Sequence, residues 1–586
     1  MADARPLRIL ALLSEPLVDA DGDPIPRLDL HAAAERVRQQ LGAIDRAATL
    51  RFVPAIPNDV LNALRDFGPF DLLHFYGHGD KGVLAFEDGR GGIMPINQTH
   101  LHSLFAPGGR PAPPVALVSA CHSGSMAEAL FAAGVAHVVA VDTEASVLDV
   151  AARAFAAQFY PELLSGQSGQ SVRQAFDTGC VMVLNDTDVR TACQHLVESQ
   201  PDYQELIKTV GLQKVVEARV QAEVRKFRLL PEPEEGQPDP HQAAPFADAP
   251  RGKVEVTDLP RPPETIPTRP DYFTGRETDL HDVIESVLDH PVTLVLGIGG
   301  MGKSELCREV GRWFAARGRF PGGIAFIPLG PLNRAGDART TIAAALHLDV
   351  RQADTPEHLA RLLPRDALVI LDELDALVTD DRANTRALVQ ALHDHSQARI
   401  LISSRHPAGV TGERQFSLKR LTPDAALRLF LKLADQPGRP LQGSQADLND
   451  VLEFLDGFPR AIVLAAAQMT SPDLRWLLED LRKSREEILN DPTIPEDERK
   501  DSVSVLSTLN SSFKRLAAAQ PDATVFFPYL ALFPAGIGEE GLRAIFGEQA
   551  RLIRPIIDFA LAEVRPDLDY YYLPAPVRSY AERKLP

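Results

Sequence analysis

The sequence predicts an α/β multidomain fold, and three observations predict it. Short apolar runs alternate with helical periods twice along the 586 residues, once on each side of a Pro-rich stretch. That stretch, from Leu230 to about Pro270, is acidic and has no sustained apolar period, so it reads as an extended linker. At ~100–200 residues per domain, a chain of this length needs three or more cores. The boundaries that follow are 1–229, a linker at 230–270, and then 271–421, 422–495 and 496–586.

In the first unit, LRILALL and TLRFVPA read as strands, with HAAAERVRQQL as a helix between them. DLLHFYG, PVALVSA and HVVAV follow as strands, and MAEALFAAG and VAARAFAAQFYPELL as helices. Alternation of this kind predicts a mostly parallel sheet covered on both faces. The second unit opens the same way, with VTLVLGIGG, GGIAFIPL, ALVILDEL and ARILISS as four strands. After Leu421 the strands stop. Helical segments run from Pro423 to about Asn490, and the last stretch is helical with a small hairpin near LDYYYLP.

Composition limits the function classes. The formal charge is −19, from 61 basic and 80 acidic residues, which argues against a protein that coats nucleic acid. Four scattered cysteines without a C-x-x-C pair speak against a disulfide framework or a Cys₄ zinc site. The N-terminus lacks the apolar core of a signal peptide, and no run of 18 apolar residues predicts a membrane span. The expectation is a soluble cytoplasmic protein with no membrane partner.

The strongest motif is Gly297-Ile-Gly299-Gly300-Met301-Gly302-Lys303-Ser304, a complete G-x-x-x-x-G-K-[ST] between a strand and a helix. Its glycines let backbone amides turn inward around phosphate, and the following helix N-terminus favours the same anion. Lys303 is expected on the β/γ-phosphates and Ser304 on Mg²⁺. The plain alternative is a Gly-rich turn. Asp372 and Glu373 end the apolar strand LVILD; Asp372 completes the Mg²⁺ site and Glu373 orients an attacking water. Arg405, at the end of ILISSR, is placed beside the γ-phosphate, with a surface salt bridge as its plain alternative. The cofactors expected are ATP or ADP with Mg²⁺.

Phe273-Thr-Gly275-Arg276-Glu lies just upstream of this loop, and Gly457-Phe-Pro459-Arg460-Ala-Ile lies downstream. The order of these motifs over about 271–586 resembles the NB-ARC branch of the STAND ATPases. The resemblance implies a P-loop α/β domain, a helical bundle and a winged-helix domain. It implies that Phe273, Gly275 and Arg276 lie along the adenine and that Pro459 packs near the nucleotide. The family often carries a His in the winged helix that touches the β-phosphate of ADP. Here Pro574 takes that place, and Pro cannot donate a hydrogen bond.

In the first unit, His78 and Cys121 each follow an apolar strand, in HFYGHG and VSACHSG. Strand ends of this kind form the functional crevice of parallel α/β sheets. If the two strands are neighbours, imidazole and thiol form a nucleophilic pair. The amides of Gly79 and Cys121 are candidates for an oxyanion hole. His74 lies inside its strand and reads as structural, as do Cys180, Cys193 and Cys307. H-G followed by S-A-C-x-S-G resembles the CHAT domain, a caspase-like cysteine peptidase fold, over about 7–185. In that family the residues matching His78 and Cys121 form the catalytic dyad. Asp142 and Asp149 are candidates for an acidic specificity pocket.

Together the two resemblances imply a nucleotide-gated signalling protease. Oligomerisation of the STAND unit would activate the CHAT unit on a protein substrate, in bacterial immune defence or regulated cell death. An activating ligand or a sensor region is implied, since sensor repeats usually follow the winged helix in this family. Two other classes compete. One is a signalling scaffold with an inactive caspase-like domain. The other is a transcriptional regulator, ranked last because residues 500–586 are not strongly basic.

Overall fold

Period-two alternation within apolar strands decides how the first sheet is buried. In a computed structural model of the chain, the strand β1 (Leu7–Leu13) sends Leu7, Ile9 and Ala11 into one core and Leu10 and Leu12 into another. The description covers residues 5–28, 30–42, 44–105, 111–142, 147–164, 171–257, 262–267, 273–434, 441–469, 473–491, 494, 496–565 and 570–585. The chain divides into two units, Met1–Pro260 and Arg261–Pro586.

In the first unit β2 (Ala48–Pro54), β3 (Leu72–Tyr76) and the short β4 (Gly79–Asp80) come next. They are followed by β5 (Val83–Glu87), β6 (Ile93–Asn97), β7 (Val115–Ser119), β8 (His137–Val141), β9 (Phe227–Leu230) and β10 (Val254–Thr257). The main sheet has the order β10-β2-β1-β3-β7-β8-β9 and is parallel except for the β8–β9 pair. β4, β5 and β6 form a separate antiparallel sheet directly after β3. Helices Asp149–Leu164 and Val172–Asn185 supply one core, with Phe155, Phe159 and Tyr160 fully buried. Helices Pro57–Phe67 and Gly124–Ala132 supply the other.

The Pro-rich stretch departs from the linker expectation. Residues 230–257 fold back onto the first unit. Phe246 enters its core, and the buried His241 ring bonds His137 Nδ1 at 2.9 Å and the Pro231 carbonyl at 2.7 Å. Arg173 pairs with Asp239 at 2.7 Å, and β10 adds a parallel edge strand to β2. Residues 262–267 instead join the second unit, where Thr265 N–H donates to the Ile324 carbonyl at 3.1 Å. Proline is tolerated here because a sheet edge leaves amides unpaired. The proposed boundaries at 270 and 495 lie outside the described residues.

The second unit contains β11 (Val292–Leu296), β12 (Ile324–Pro328), β13 (Leu368–Asp372), β14 (Arg399–Ser404) and β15 (Arg414–Ser417). Their order is β12-β13-β14-β11-β15, and every pairing is parallel. Near-continuous burial of LVILD and RILIS is what such a sheet demands. Helices then follow at Pro423–Ala434, Gln445–Leu455, Pro459–Ala467, Leu474–Asn490 and Glu496–Ala519. The last of these buries a polar seam of Ser504, Ser507, Thr508, Ser511 and Ser512. Gln468 crosses it, donating to Ser512 Oγ at 2.8 Å and accepting from Ser511 Oγ at 2.6 Å. The final part carries a small antiparallel sheet of β16 (Ile537–Gly538), β17 (Glu563–Arg565) and β18 (Tyr570–Tyr572), then the helix Ala575–Glu582. Among the described residues no helix is long and apolar enough to cross a membrane.

Candidate functional site

The strand order makes His78 and Cys121 neighbours. β3 and β7 pair in parallel with Tyr76 opposite Ser119, so the two residues leave adjacent strands at the same level, on the carboxyl edge. The backbones touch just beyond: a Cβ at Gly79 would stand 2.5 Å from the Cys121 carbonyl, so glycine is required there. Ala85 N–H donates to the His78 carbonyl at 3.0 Å, which leaves Gly79, opposite Leu84, as a non-hydrogen-bonded pair. Its N–H is therefore turned away from β5.

Each partner is oriented by protein contacts. His78 Nε2 lies 2.7 Å from the Pro26 carbonyl. A carbonyl only accepts, so Nε2 carries the proton and Nδ1 keeps the lone pair that a base needs. Burial lowers the imidazole pKa from its ordinary value, while the Pro26 carbonyl, Glu15 and Asp149 partly offset this. The loop bearing Pro26 is clamped by Arg27, which bonds both carboxylate oxygens of Glu15 at 2.9 and 3.1 Å. Glu15 N–H in turn donates to the buried Glu87 at 2.8 Å.

Cys121 is half-buried, with Sγ 3.7 Å from the Val147 carbonyl. The chain turns sharply after it, with His122 at φ 53°, into the helix Gly124–Ala132. Ser123 ties this turn to β8 by accepting from Val141 N–H at 3.0 Å. His74 is buried against Ser119 Oγ at 3.0 Å, and burial pushes its pKa down to about 3. All four cysteines are free thiols. The two acidic-pocket candidates are already engaged. Asp142 pairs with Arg228 at 2.6 Å, and Asp149 accepts from Tyr76 Oη and pairs with Arg153 at 3.2 Å.

In the second unit a cavity of about 360 Å³ opens beside the 297–304 loop. Gly299, Gly300, Gly302, Lys303, Ser304, Asp372, Glu373, Arg405 and Pro459 line it. Gly300 and Gly302 sit at φ 82° and 88°, the left-handed region in which glycine is favoured. Lys303 is 8% exposed, and its Nζ donates to the Gly297 carbonyl at 2.7 Å and the Ile298 carbonyl at 3.3 Å. Burial lowers its pKa, against the pull of Asp375 and Asp372. A buried ammonium held only by carbonyls is a cradle suited to an anion. Asp372 accepts from Ser403 Oγ, and Glu373 N–H donates to the same oxygen at 2.9 Å. Burial, then Asp372, raises Glu373 to about 7, while Arg578 pulls it back. The hydroxyl of Ser304 and the carboxylate of Asp372 are hard oxygen donors that suit Mg²⁺.

Other expected contacts are not at the cavity wall. Gly297, Met301, Phe273, Gly275 and Arg276 do not line it. The Arg276 guanidinium is spent on protein: Asp279 at 2.7 Å, the Lys419 carbonyl at 2.6 Å and the Met301 carbonyl at 3.0 Å. Through the Met301 carbonyl it braces the loop. Gly275 packs on Ala425. Arg405 lines the cavity but lies 3.5 Å from Asp375, the plain salt-bridge reading.

Further residues to which the motifs assign no role complete the wall. Arg460 bonds Glu563 at 2.5 Å and the Ala560 carbonyl at 2.7 Å, while its N–H donates to the Gly300 carbonyl at 3.2 Å. Tyr572 Oη also donates to Glu563, and Arg308 pairs with Glu305. Asp375 follows Asp372 in D-E-L-D and was open to notice. Glu563 lies far off in the chain and carries no local signal, whereas Tyr572 and Arg578 bound the segment in which Pro574 takes the place of the family's His.

Comparison with known proteins places a CHAT domain in the first unit: a family model of the CHAT domain matches residues 5–196. No curated protein matches the chain. Among solved structures, the chain is similar to a STAND protein with a tetratricopeptide repeat sensor from Pyrococcus horikoshii. Identity is 15% and the TM-score 0.34, covering 55% of this chain and 44% of that one. The chain thus spans less than half the length of that protein. RuvB of Thermotoga maritima matches at 14% identity and TM-score 0.27, covering 54% of this chain and 99% of that one. A structure of katanin self-assembly matches at 13% identity and TM-score 0.23, covering 38% and 71%.

Proposed function

We propose that the chain is a nucleotide-gated signalling protease of the STAND type. ATP or ADP with Mg²⁺, held in the second unit, controls self-assembly. Assembly then switches on the His78–Cys121 dyad of the CHAT domain against a protein substrate. One observation carries this reading: a CHAT domain with His and Cys at adjacent strand ends shares a chain with a cavity walled by a phosphate loop, strand-end carboxylates and residues 573–579.

In the protease step His78 Nδ1 accepts the thiol proton as Cys121 Sγ attacks the scissile carbonyl. The same proton then passes to the leaving amine, and water releases the acyl group. The oxyanion is met by the amides of Gly79 and Cys121. In the nucleotide unit Lys303 and the loop amides bind phosphate, and Ser304 and Asp372 hold Mg²⁺. The metal, when bound, offsets phosphate charge. Residues 422–495 act as the helical bundle and 496–586 as the winged helix that closes on the nucleotide. Clustering raises the local concentration of CHAT domains without new contacts. The setting of bacterial defence or regulated cell death comes from the family resemblance alone.

The test is native mass measurement with ADP and then with a non-hydrolysable ATP analogue, alongside cleavage of a fluorogenic peptide pool. Larger assemblies and cleavage are expected only with the analogue. Lys303→Ala should lose both, and Cys121→Ala should assemble without cleaving. Normal cleavage by Cys121→Ala and His78→Ala would sink the protease reading, and unchanged nucleotide affinity in Lys303→Ala the switch reading.

A further inference from the structure

The carboxyl end of the second sheet gathers three cations and three carboxylates around one end of the cavity: Lys303, Arg405 and Arg578 with Asp372, Glu373 and Asp375. Two of the cations are committed nearby, Lys303 to the Gly297 and Ile298 carbonyls and Arg405 to Asp375. The third comes from the last helix. Arg578 Nη2 lies 3.8 Å from Glu373 Oε2, with side chains only 16% and 26% exposed.

Both partners are held in place. Arg578 Nη1 donates to the Pro534 carbonyl at 3.1 Å, and its backbone N–H donates to the Pro574 carbonyl at 2.8 Å. Glu373 sits at φ 58°, a strained position for a non-glycine residue, with its N–H on Ser403. On its other side Glu373 lies against the Gly330 backbone, where a Cβ would stand 2.1 Å from Oε2.

We propose that Arg578 is a specificity residue of the nucleotide site, separating a diphosphate from a triphosphate by pairing with Glu373 only while no terminal phosphate is present. The assignment rests on the nucleotide reading above. A terminal phosphate brings added negative charge beside Glu373 and offers the guanidinium a bidentate, charge-assisted partner. Arg578 then leaves the carboxylate. Glu373 becomes available to a water, and the helix Ala575–Glu582 loses its tie to β13. That difference in contacts between the two states is what lets a ligand shift the equilibrium. It also gives this segment a cation where Pro574 offers no donor.

The test uses the full chain at pH 8 with Mg²⁺ and fluorescent ADP and ATP analogues. Arg578→Gln and Glu373→Gln should each release the ADP analogue roughly tenfold faster. The double variant should release it no faster than either single variant, because one pair is being broken. Arg578→Lys should lie between. Amide hydrogen exchange over 575–582 should rise alike in both single variants, without any nucleotide. An unchanged ADP release rate in Arg578→Gln, additive effects in the double variant, or unchanged exchange in Glu373→Gln overturns the assignment. Failure of the wild-type chain to bind either analogue overturns the nucleotide reading itself.

Discussion

His78 shows how far a single side chain is set by its surroundings. Its Nε2 proton is committed to Pro26, and burial depresses its pKa. The neutral imidazole therefore persists to lower pH than an exposed histidine, whose pKa is ~6.5. The acid limb of kcat/KM for peptide cleavage is expected below that value. Glu15→Gln should move it lower still, because the Glu15 carboxylate raises the imidazole pKa. A limb at 6.5 or above in the wild type, or an upward move in Glu15→Gln, contradicts this. His78 and Cys121 themselves were legible in the sequence because each sits where an apolar run ends in glycine-rich polar text. Pro26, Glu15 and Arg27 were not, since a backbone carbonyl has no residue-type signature and the loop is brought to His78 by β1–β3 pairing and by the bond of Glu15 to Glu87, both long-range.

At the scale of elements, patterns with a period were readable and edge contacts were not. The buried strands of both sheets announce themselves as apolar runs, whereas β10 reads Val-Glu-Val-Thr inside Pro-rich acidic text. It is a strand because β2 offers an open edge, a fact no local window contains. The segment Phe273–Arg276 has the same lesson. Its motif is visible, but its place against the loop follows from Arg276 reaching the Met301 and Lys419 carbonyls. Gly275 sits at φ 73°, and a Cβ there would meet Ala425 Cβ at 2.3 Å. Gly275→Ala should therefore cost roughly 2–4 kcal/mol of stability from backbone strain and overpacking. Folded protein at low temperature should bind nucleotide within about twofold of wild type. A direct loss of affinity with unchanged unfolding would return this segment to the binding surface.

At the scale of the molecule, the two units carry different sensitivities. In the first, burial lowers His74 to about 3 and His137 to about 4. Both pKa values are depressed in the fold, so between pH ~6.5 and these values the unfolded chain binds more protons. Stability of that unit is therefore expected to fall as pH drops from 6.5 towards 4. On the proposed function, a nucleotide bound to the second unit would add RT ln(1 + [L]/Kd), about 2.7 kcal/mol at 100 times Kd. Calorimetry should show one transition that moves with acid and another that moves with Mg²⁺-ADP. A single transition moving with both is the contrary result.

The sequence by itself determined the alternating strands and helices, the Gly-rich loop after β11, and the carboxylates and the His78 and Cys121 side chains that follow apolar runs. Each is written in a contiguous stretch whose spacing reflects local backbone geometry. Only the tertiary structure decided which strand ends are neighbours, that the Pro-rich stretch is held by both units, and which distant side chains complete the cavity. Arg460, Glu563, Tyr572 and Arg578 line one cavity with the loop through packing of segments far apart in the chain. The reason is physical: a carboxylate or guanidinium has the same local appearance on a solvated face as in a buried pair, and only burial and partner distinguish them.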